Sequence, residues 1–205
     1  MDALVLTTIA KRIERIVQEV TIKCIQSARS STIQARDFSV TIADGKCRTV
    51  TIHGGLPIHT MSIDLALRPV PELFDDIEPG DTFLNNCPFY GGVHHADYTF
   101  MTPVFSGNKI LFWVMLRMHN VDVGAPEPTA YLPFAGEIYQ EGLHWPVVRV
   151  AREYQELPDM VRIGRMRIRV PSQWYGDFAA ALGDFVRLEP GVRRWHEPSF
   201  EVTLR

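Results

Sequence analysis

Two apolar-rich runs, residues 97–105 and 109–118, flank the tripeptide Ser106-Gly107-Asn108. Turn residues between two such runs are a hairpin signal, and an antiparallel hairpin returns the chain to where it started. That return constrains the rest of the fold, because whatever precedes the first strand must neighbour whatever follows the second. Here the flanks are NNCPFYGGVHHAD (85–97) and RMHNVDVG (117–124), the densest polar stretches of the chain. His94 and Asp97 stand three apart in the first, and His119 and Asp122 repeat that offset in the second. Closing the hairpin lets His94, Asp97 and His119 converge.

Around the hairpin the pattern is mixed. Leu6, Ile9, Ile13, Ile16, Val17 and Val20 recur at helical steps and predict an N-terminal helix ending near Ser27–Ser31. Residues 37–42 and 49–52 predict a second hairpin around Ala43-Asp44-Gly45-Lys46. A helix is expected over 61–74, broken by Pro69 and Pro71, then a turn at 78–81. Long Pro-rich loops follow Pro126 as far as Pro146. Residues 161–170 alternate apolar residues with Arg and slip at Gly164, which fits a bulged strand or a short amphipathic helix. Residues 172–188 read as a helix with Trp174, Tyr175, Phe178, Ala181, Leu182 and Phe185 on one side. The expected class is α+β: an N-terminal helix, a mixed, mainly antiparallel, hairpin-rich sheet and a C-terminal helix, in one domain over 1–205.

Several function classes fall away. With 46% hydrophobic and 10% aromatic residues the chain is no disordered segment. A net charge of −3, from 21 basic and 24 acidic residues, supplies no field for phosphate backbones, so no nucleic-acid partner is expected. Apolar runs such as 110–116 are far below the ~18–20 residues of a membrane span. The first residues include Asp2, Lys11, Arg12, Glu14 and Arg15 and do not read as a signal peptide. Cys24, Cys47 and Cys87 are scattered without CxxC spacing, which suggests a reducing cytoplasm. The pairs Gly54-Gly55 and Gly91-Gly92 lack a following Lys-Ser/Thr, so any ATP chemistry belongs on another chain.

Asp37, in Arg36-Asp37-Phe38-Ser39, puts a further carboxylate at the start of a strand. Two imidazoles and two carboxylates suit a divalent cation such as Zn, Mn or Fe and leave coordination positions open. The competing reading is plain: an isolated His-x-x-Asp is more often a hydrogen-bonded turn pair, and His94-His95 beside glycines can be simple loop. Gly91-Gly92 lets the backbone turn tightly or approach a ligand. His53, His59, His144 and His196 have no such acidic partner three residues on and default to non-ligand roles, with His59 kept as a pocket residue. Cys87 reads either as a nucleophile or as a passive buried thiol. Arg162, Arg165, Arg167 and Arg169 read either as an anion dock or as a solvated face.

FLNNCPFYGGVHHADYTFMTPVF, RMHNVDVGAPEP, GEIYQEGLHWPVVRV and RVPSQWYGDFAAALG, in that order, resemble the motif series of the hydantoinase B/oxoprolinase family. That family includes B-type subunits of ATP-dependent lactamases and hydantoinases and the related subunits of acetone and acetophenone carboxylases. The resemblance reaches upstream through Ala35–Ser39 and Pro57-Ile58-His59. It implies an A-type kinase-like partner that uses ATP to phosphorylate an amide, imide or ketone-enolate oxygen. The B-type chain would then act by metal-assisted hydrolysis of the cyclic amide or, alternatively, by carboxylation. It also implies Asp37, His94, Asp97 and His119 as metal ligands, with Asp122 behind them or on the substrate side. Asp122 and the pocket residue His59 are the catalytic candidates, and Glu137 or Glu141 reads either as substrate-positioning or as structural.

Three departures stand out. Asn86-Cys87-Pro88 replaces the family's usual Asn-Asp-Pro. Gly124–Thr129 replaces a Gly-Gly and Pro-Gly-Ser stretch. Family B-type subunits are typically more than twice as long, so this chain resembles the N-terminal portion. It is then one half of a split subunit with a separate C-terminal piece, a compact variant, or a truncated non-catalytic assembly subunit.

Overall fold

The computed structural model describes residues 2–186. Helix α1 (Ala3–Ser27) is capped by Asp2, whose side chain accepts from Leu4 N at 3.0 Å. Its buried residues Val17, Val20, Thr21 and Cys24 follow the helical period. Leu6 and Ile9 are 51% and 44% exposed, so the expected apolar stripe overruns the core by two turns. Helix α2 (Ser31–Gln34) leads to β1 (Phe38–Asp44) and β2 (Thr49–Gly54), the second expected hairpin. Asp44 Oδ1 holds its turn by accepting from Lys46 N and Arg48 N.

Helix α3 (Pro57–Leu67) starts at Pro57 rather than Met61, because proline fits the first helical turn, where its missing N–H costs nothing. Pro69 ends it, and α4 (Pro69–Leu73) follows. Next come β3 (Thr82–Asn85), β4 (Asp97–Ser106) and β5 (Lys109–His119), the last two forming the expected central hairpin. After the long loop lie β6 (Val148–Arg152) and β7 (Gln155–Glu156). The ambiguous stretch 161–170 resolves as helix α5 (Pro158–Arg167), whose Gly164 faces the Trp174 ring so closely that no Cβ fits. Helix α6 (Pro171–Val186) matches the last expected helix; its expected end at Leu188, and His196, lie outside the described residues.

The strands form one seven-stranded antiparallel sheet in the order β2-β1-β5-β4-β3-β6-β7. Strand alternation sorts its central residues between two layers. Phe38, Val40, Ile42, Tyr98, Phe100, Val114, Leu116 and Met118 pack with α1 and α6. Phe83, Met101, Trp113 and Met115 pack with Ile63, Leu67 and Val70 of α3 and α4. The class is therefore α+β, with helices on both faces of the sheet. Among the described residues no helix is long and apolar enough to cross a membrane.

At one end of the α3 side the apolar alternation gives way to buried polar residues: Ser39, Thr41, Asp97, Thr99, Arg117 and His119. Polar groups are buried only where partners or ligands satisfy them. That end is where the chemistry sits.

Candidate metal centre

Three strand ends bring the acidic and imidazole groups into one row. Arg36 adopts a left-handed backbone (φ 66°) at the exit from α2, and Asp37 N donates to Thr32 O at 2.9 Å as the chain enters β1. His119 N donates to Asp37 O at 3.1 Å, which extends the β1–β5 ladder. Asp97 pairs with His119 across β4 and β5. His94 joins through a turn in which Asp97 N donates to His94 O at 3.0 Å. His59 arrives from α3, where His59, Ile63, Ala66 and Leu67 make the buried stripe.

The side chains meet around Asp97. Its Oδ1 lies 3.0 Å from His119 Nδ1 and 3.2 Å from His94 Nε2. Ligand atoms of His94, Asp97 and His119 all fall within 4.8 Å of one another. His59 Nε2 is 3.6 Å from Asp97 Oδ2 and 3.7 Å from Asp37 Oδ1, and Asp37 Oδ2 is 4.0 Å from His119 Nδ1. These longer separations are too long for hydrogen bonds. Burial opposes ionisation of Asp97, but the imidazoles of His119, His59 and His94 outweigh it and hold the carboxyl well below its usual range.

A buried cation lies two residues along β5. Arg117 is fully buried, and its guanidinium donates to Thr99 Oγ1, Ser62 Oγ and Gly91 O, all uncharged. Burial pushes its pKa down to about 10, against the pull of the Asp97 and Asp64 charges. The Gly91-Gly92 pair serves this packing rather than a ligand: Gly91 has φ 78°, and a Cβ there would meet the α3 backbone at Leu65 and Ala66.

Tyr131, from the long loop, stacks on His94 with ring centroids 4.8 Å apart and on His119 at 5.8 Å. Sequence reading missed it, since nothing in a loop's composition says where tertiary packing will carry it. Beside Asp37 lies a cleft of about 590 Å³ lined by Arg36, His53, Gly55 and Leu56 among others. A larger hollow of about 690 Å³, between Asp44, Arg48 and Lys109, contains none of the clustered residues. The cleft sharing Asp37 is the one that bears on this site.

The residues fit a divalent cation. One carboxylate oxygen already faces two imidazole nitrogens, and the buried Asp37 Oδ1 has no hydrogen-bond partner. Mixed nitrogen and oxygen donors of this kind suit Zn, Mn or Fe.

The other candidates lie apart from this cluster's contacts. Asp122 accepts from Gly124 N, Arg169 N and Arg169 Nη1, so it ties the segment after α5 to the exit of β5. Cys87 is buried, and among the described residues none of the three cysteines forms a disulfide. Arg165 stacks on Tyr175, Arg162 pairs with Asp159 and Arg169 with Asp122, so three of the four arginines have separate partners. Glu137 precedes a single 3-10 turn, Ile138–Glu141.

The sequence model of the hydantoinase B/oxoprolinase family matches residues 2–197. Caprolactamase subunit beta of Pseudomonas jessenii is 31% identical over 185 residues, which cover 89% of this chain and 32% of that one. The acetophenone carboxylase delta subunit of Aromatoleum aromaticum is 27% identical over 158 residues, covering 76% of this chain and 23% of that one. The crystal structure of the ATP-dependent caprolactamase from Pseudomonas jessenii superposes with a TM-score of 0.83 at 30% identity, covering 90% of this chain and 32% of that one. The chain thus spans about a third of the length of the caprolactamase subunit. With the family pattern running along nearly all of the sequence and the same fold beneath it, this chain belongs to the hydantoinase B/oxoprolinase family.

Proposed function

We propose that this chain supplies the metal-assisted part of an ATP-dependent hydrolase of cyclic amides or imides. The observation that carries the reading is the convergence of His94, Asp97 and His119, whose ligand atoms lie within 4.8 Å of one another, with Asp37 Oδ2 4.0 Å from His119 Nδ1. These four residues would hold a divalent cation, which would supply Lewis acidity and lower the pKa of bound water towards ~7. The cyclic amide, ATP and two waters give the ring-opened amino acid, ADP and phosphate. A hydroxyl adds to the activated amide carbon, and a proton goes to the departing nitrogen as the ring C–N bond breaks. The second water releases the phosphoryl group as phosphate.

The chain's own residues prepare for that step. Asp97 is kept ionised by its imidazole neighbours. His59 fills the space between Asp37 and Asp97, its Nε2 3.7 Å and 3.6 Å from one oxygen of each. Tyr131 covers the two imidazoles and offers an aromatic face to a ring substrate. Asp122 acts at one remove, holding Arg169 and the backbone beyond β5. The cleft beside Asp37 receives the substrate.

Phosphorylation by ATP belongs to an A-type kinase-like partner subunit. Three scattered cysteines, none in a disulfide among the described residues, agree with a cytoplasmic setting. The carboxylase relative favours a second reading, in which the same cluster serves transfer of bicarbonate or carbon dioxide to an activated ketone.

The test uses the native complex purified from its host, given ATP and either a simple lactam or a ketone with bicarbonate. Ring-opened amino acid, formed only with ATP and lost on chelation or in His119→Ala, is the expected result. Carboxylated ketone with the same dependences selects the second reading. Undiminished turnover by the His119→Ala complex contradicts both and leaves the chain as an assembly subunit.

A further inference from the structure

The cleft of about 590 Å³ beside Asp37 carries two side chains that the cluster does not use, Arg36 and His53. Small residues at Ala35, Gly54 and Gly55 leave room between them. The Arg36 backbone is fixed: its N donates to Ile33 O at 2.9 Å, and a Cβ on Gly55 would collide with its carbonyl. That packing holds it in the left-handed region, at φ 66°, which a non-glycine residue seldom adopts. His53 comes from the edge strand β2, where it pairs with Val40 of β1.

Both side chains are exposed, and neither has a hydrogen bond or ion pair among the described residues. Arg48, Arg68, Arg149, Arg152, Arg162 and Arg169, by contrast, each meet a carboxylate. A free guanidinium offers a planar fork of donors that matches two oxygens of a phosphoryl or carboxylate group. The His53 ring donates one further bond, whichever nitrogen carries its proton. Leu56 of the cleft leads directly into α3, whose first turn has no acidic residue to compete for Arg36. Asp37 is the one carboxylate in the cleft, and its charge belongs to the proposed cation.

We propose that Arg36 and His53 bind the phosphoryl group of the ATP-activated amide, an inference that rests on the hydrolysis proposed above. In that activated amide the phosphorus is two bonds from the carbon that water attacks. A carbon held at the cluster therefore has its phosphoryl group immediately beside the cluster. Asp37 belongs to both the cluster and the cleft, and Arg36 directly precedes it. A carboxylate on the ring would satisfy the same donors, yet not every cyclic amide carries one, whereas every activated molecule carries the phosphoryl group. Arg36 keeps that group on the amide oxygen until the ring C–N bond breaks. Lost early to water as phosphate, it leaves the lactam closed and the ATP hydrolysed for nothing.

The full chain, equilibrated with Zn²⁺ and freed of unbound ion, is titrated calorimetrically with inorganic phosphate and, separately, with acetate. Circular dichroism checks that each variant is folded. Losing a charged hydrogen-bond donor should weaken phosphate binding about 10–100-fold in Arg36→Ala. The loss should be smaller in His53→Ala and in Arg36→Lys, which keeps the charge without the fork. Phosphate held by zinc itself is common to all these proteins, so the difference reads the cleft. Equal phosphate affinity in the wild type and Arg36→Ala overturns the proposal, as does acetate binding as tightly as phosphate. In the native complex with ATP and a simple lactam, Arg36→Ala should raise the ADP formed per ring opened, and an unchanged ratio overturns the proposal too. A complex that opens no lactam, built on a chain whose phosphate affinity depends on Arg36, upholds the anion subsite and contradicts the hydrolysis.

Discussion

Asp97→Asn is expected to lose the metal at the Asp37–His94–Asp97–His119 cluster and to destabilise the fold in the same step. The substitution keeps the side-chain volume and removes the charge. Losing this ligand should weaken metal affinity at that cluster by more than about 100-fold, since even partners that merely support a ligand cost about 10–100-fold. The stability loss comes from Arg117, whose buried guanidinium has only uncharged hydrogen-bond partners and depends on the Asp97 charge nearby. Its size should be about 2–3 kcal/mol, below the roughly 3–5 kcal/mol of breaking a buried contact pair, because the two side chains do not touch.

A double variant separates the two effects. Asp97→Asn with Arg117→Met should regain most of the stability, as the stranded cation is gone, yet still hold no metal at that cluster. Urea unfolding beside elemental analysis reads both. Recovery of metal in the double variant, or no stability loss in the single one, contradicts this account.

Phe100→Ala is expected to have the largest effect on stability alone. Phe100 is fully buried at the centre of the sheet and meets Phe178 of α6 edge-on, with centroids 5.6 Å apart. Removing it opens a cavity beneath α6 and should cost about 3–5 kcal/mol. For a chain of this size that lowers the melting temperature by about 10 °C. Its side chain points away from the cluster, so metal binding below the melting transition should be unchanged. A shift under about 3 °C in a calorimetric scan, or a loss of metal from folded protein, contradicts the assignment of Phe100 to the α1–α6 layer.

The central hairpin was legible because strand alternation and turn chemistry agree over 97–118, and its closure alone predicts that His94, Asp97 and His119 meet. Where two periods fit the same residues, sequence could not choose. Residues 161–170 satisfy both a bulged strand and a helix, and only the packing of Gly164 on Trp174 decides. The start of α3 at Pro57 did carry a signal, proline at a first helical turn, but Gly54-Gly55 just before it reads as a break.

Other features depend on tertiary packing alone. Arginine is ordinarily a surface residue, so the burial of Arg117 follows only from its place between Thr99 and Ser62. Tyr131 reaches the imidazoles by the path of a long loop that no local rule encodes. Conversely, the α1 stripe was over-read, since apolar periodicity does not show where the core beneath a helix ends.

Anomalous diffraction from crystals of the zinc-loaded full chain tests the central claim most directly. The account predicts a zinc peak bonded to one oxygen each of Asp37 and Asp97, to Nε2 of His94 and to Nδ1 of His119, at about 2.0–2.2 Å. Zinc absent from that position in loaded crystals, or held there without Asp37 and His119, contradicts it.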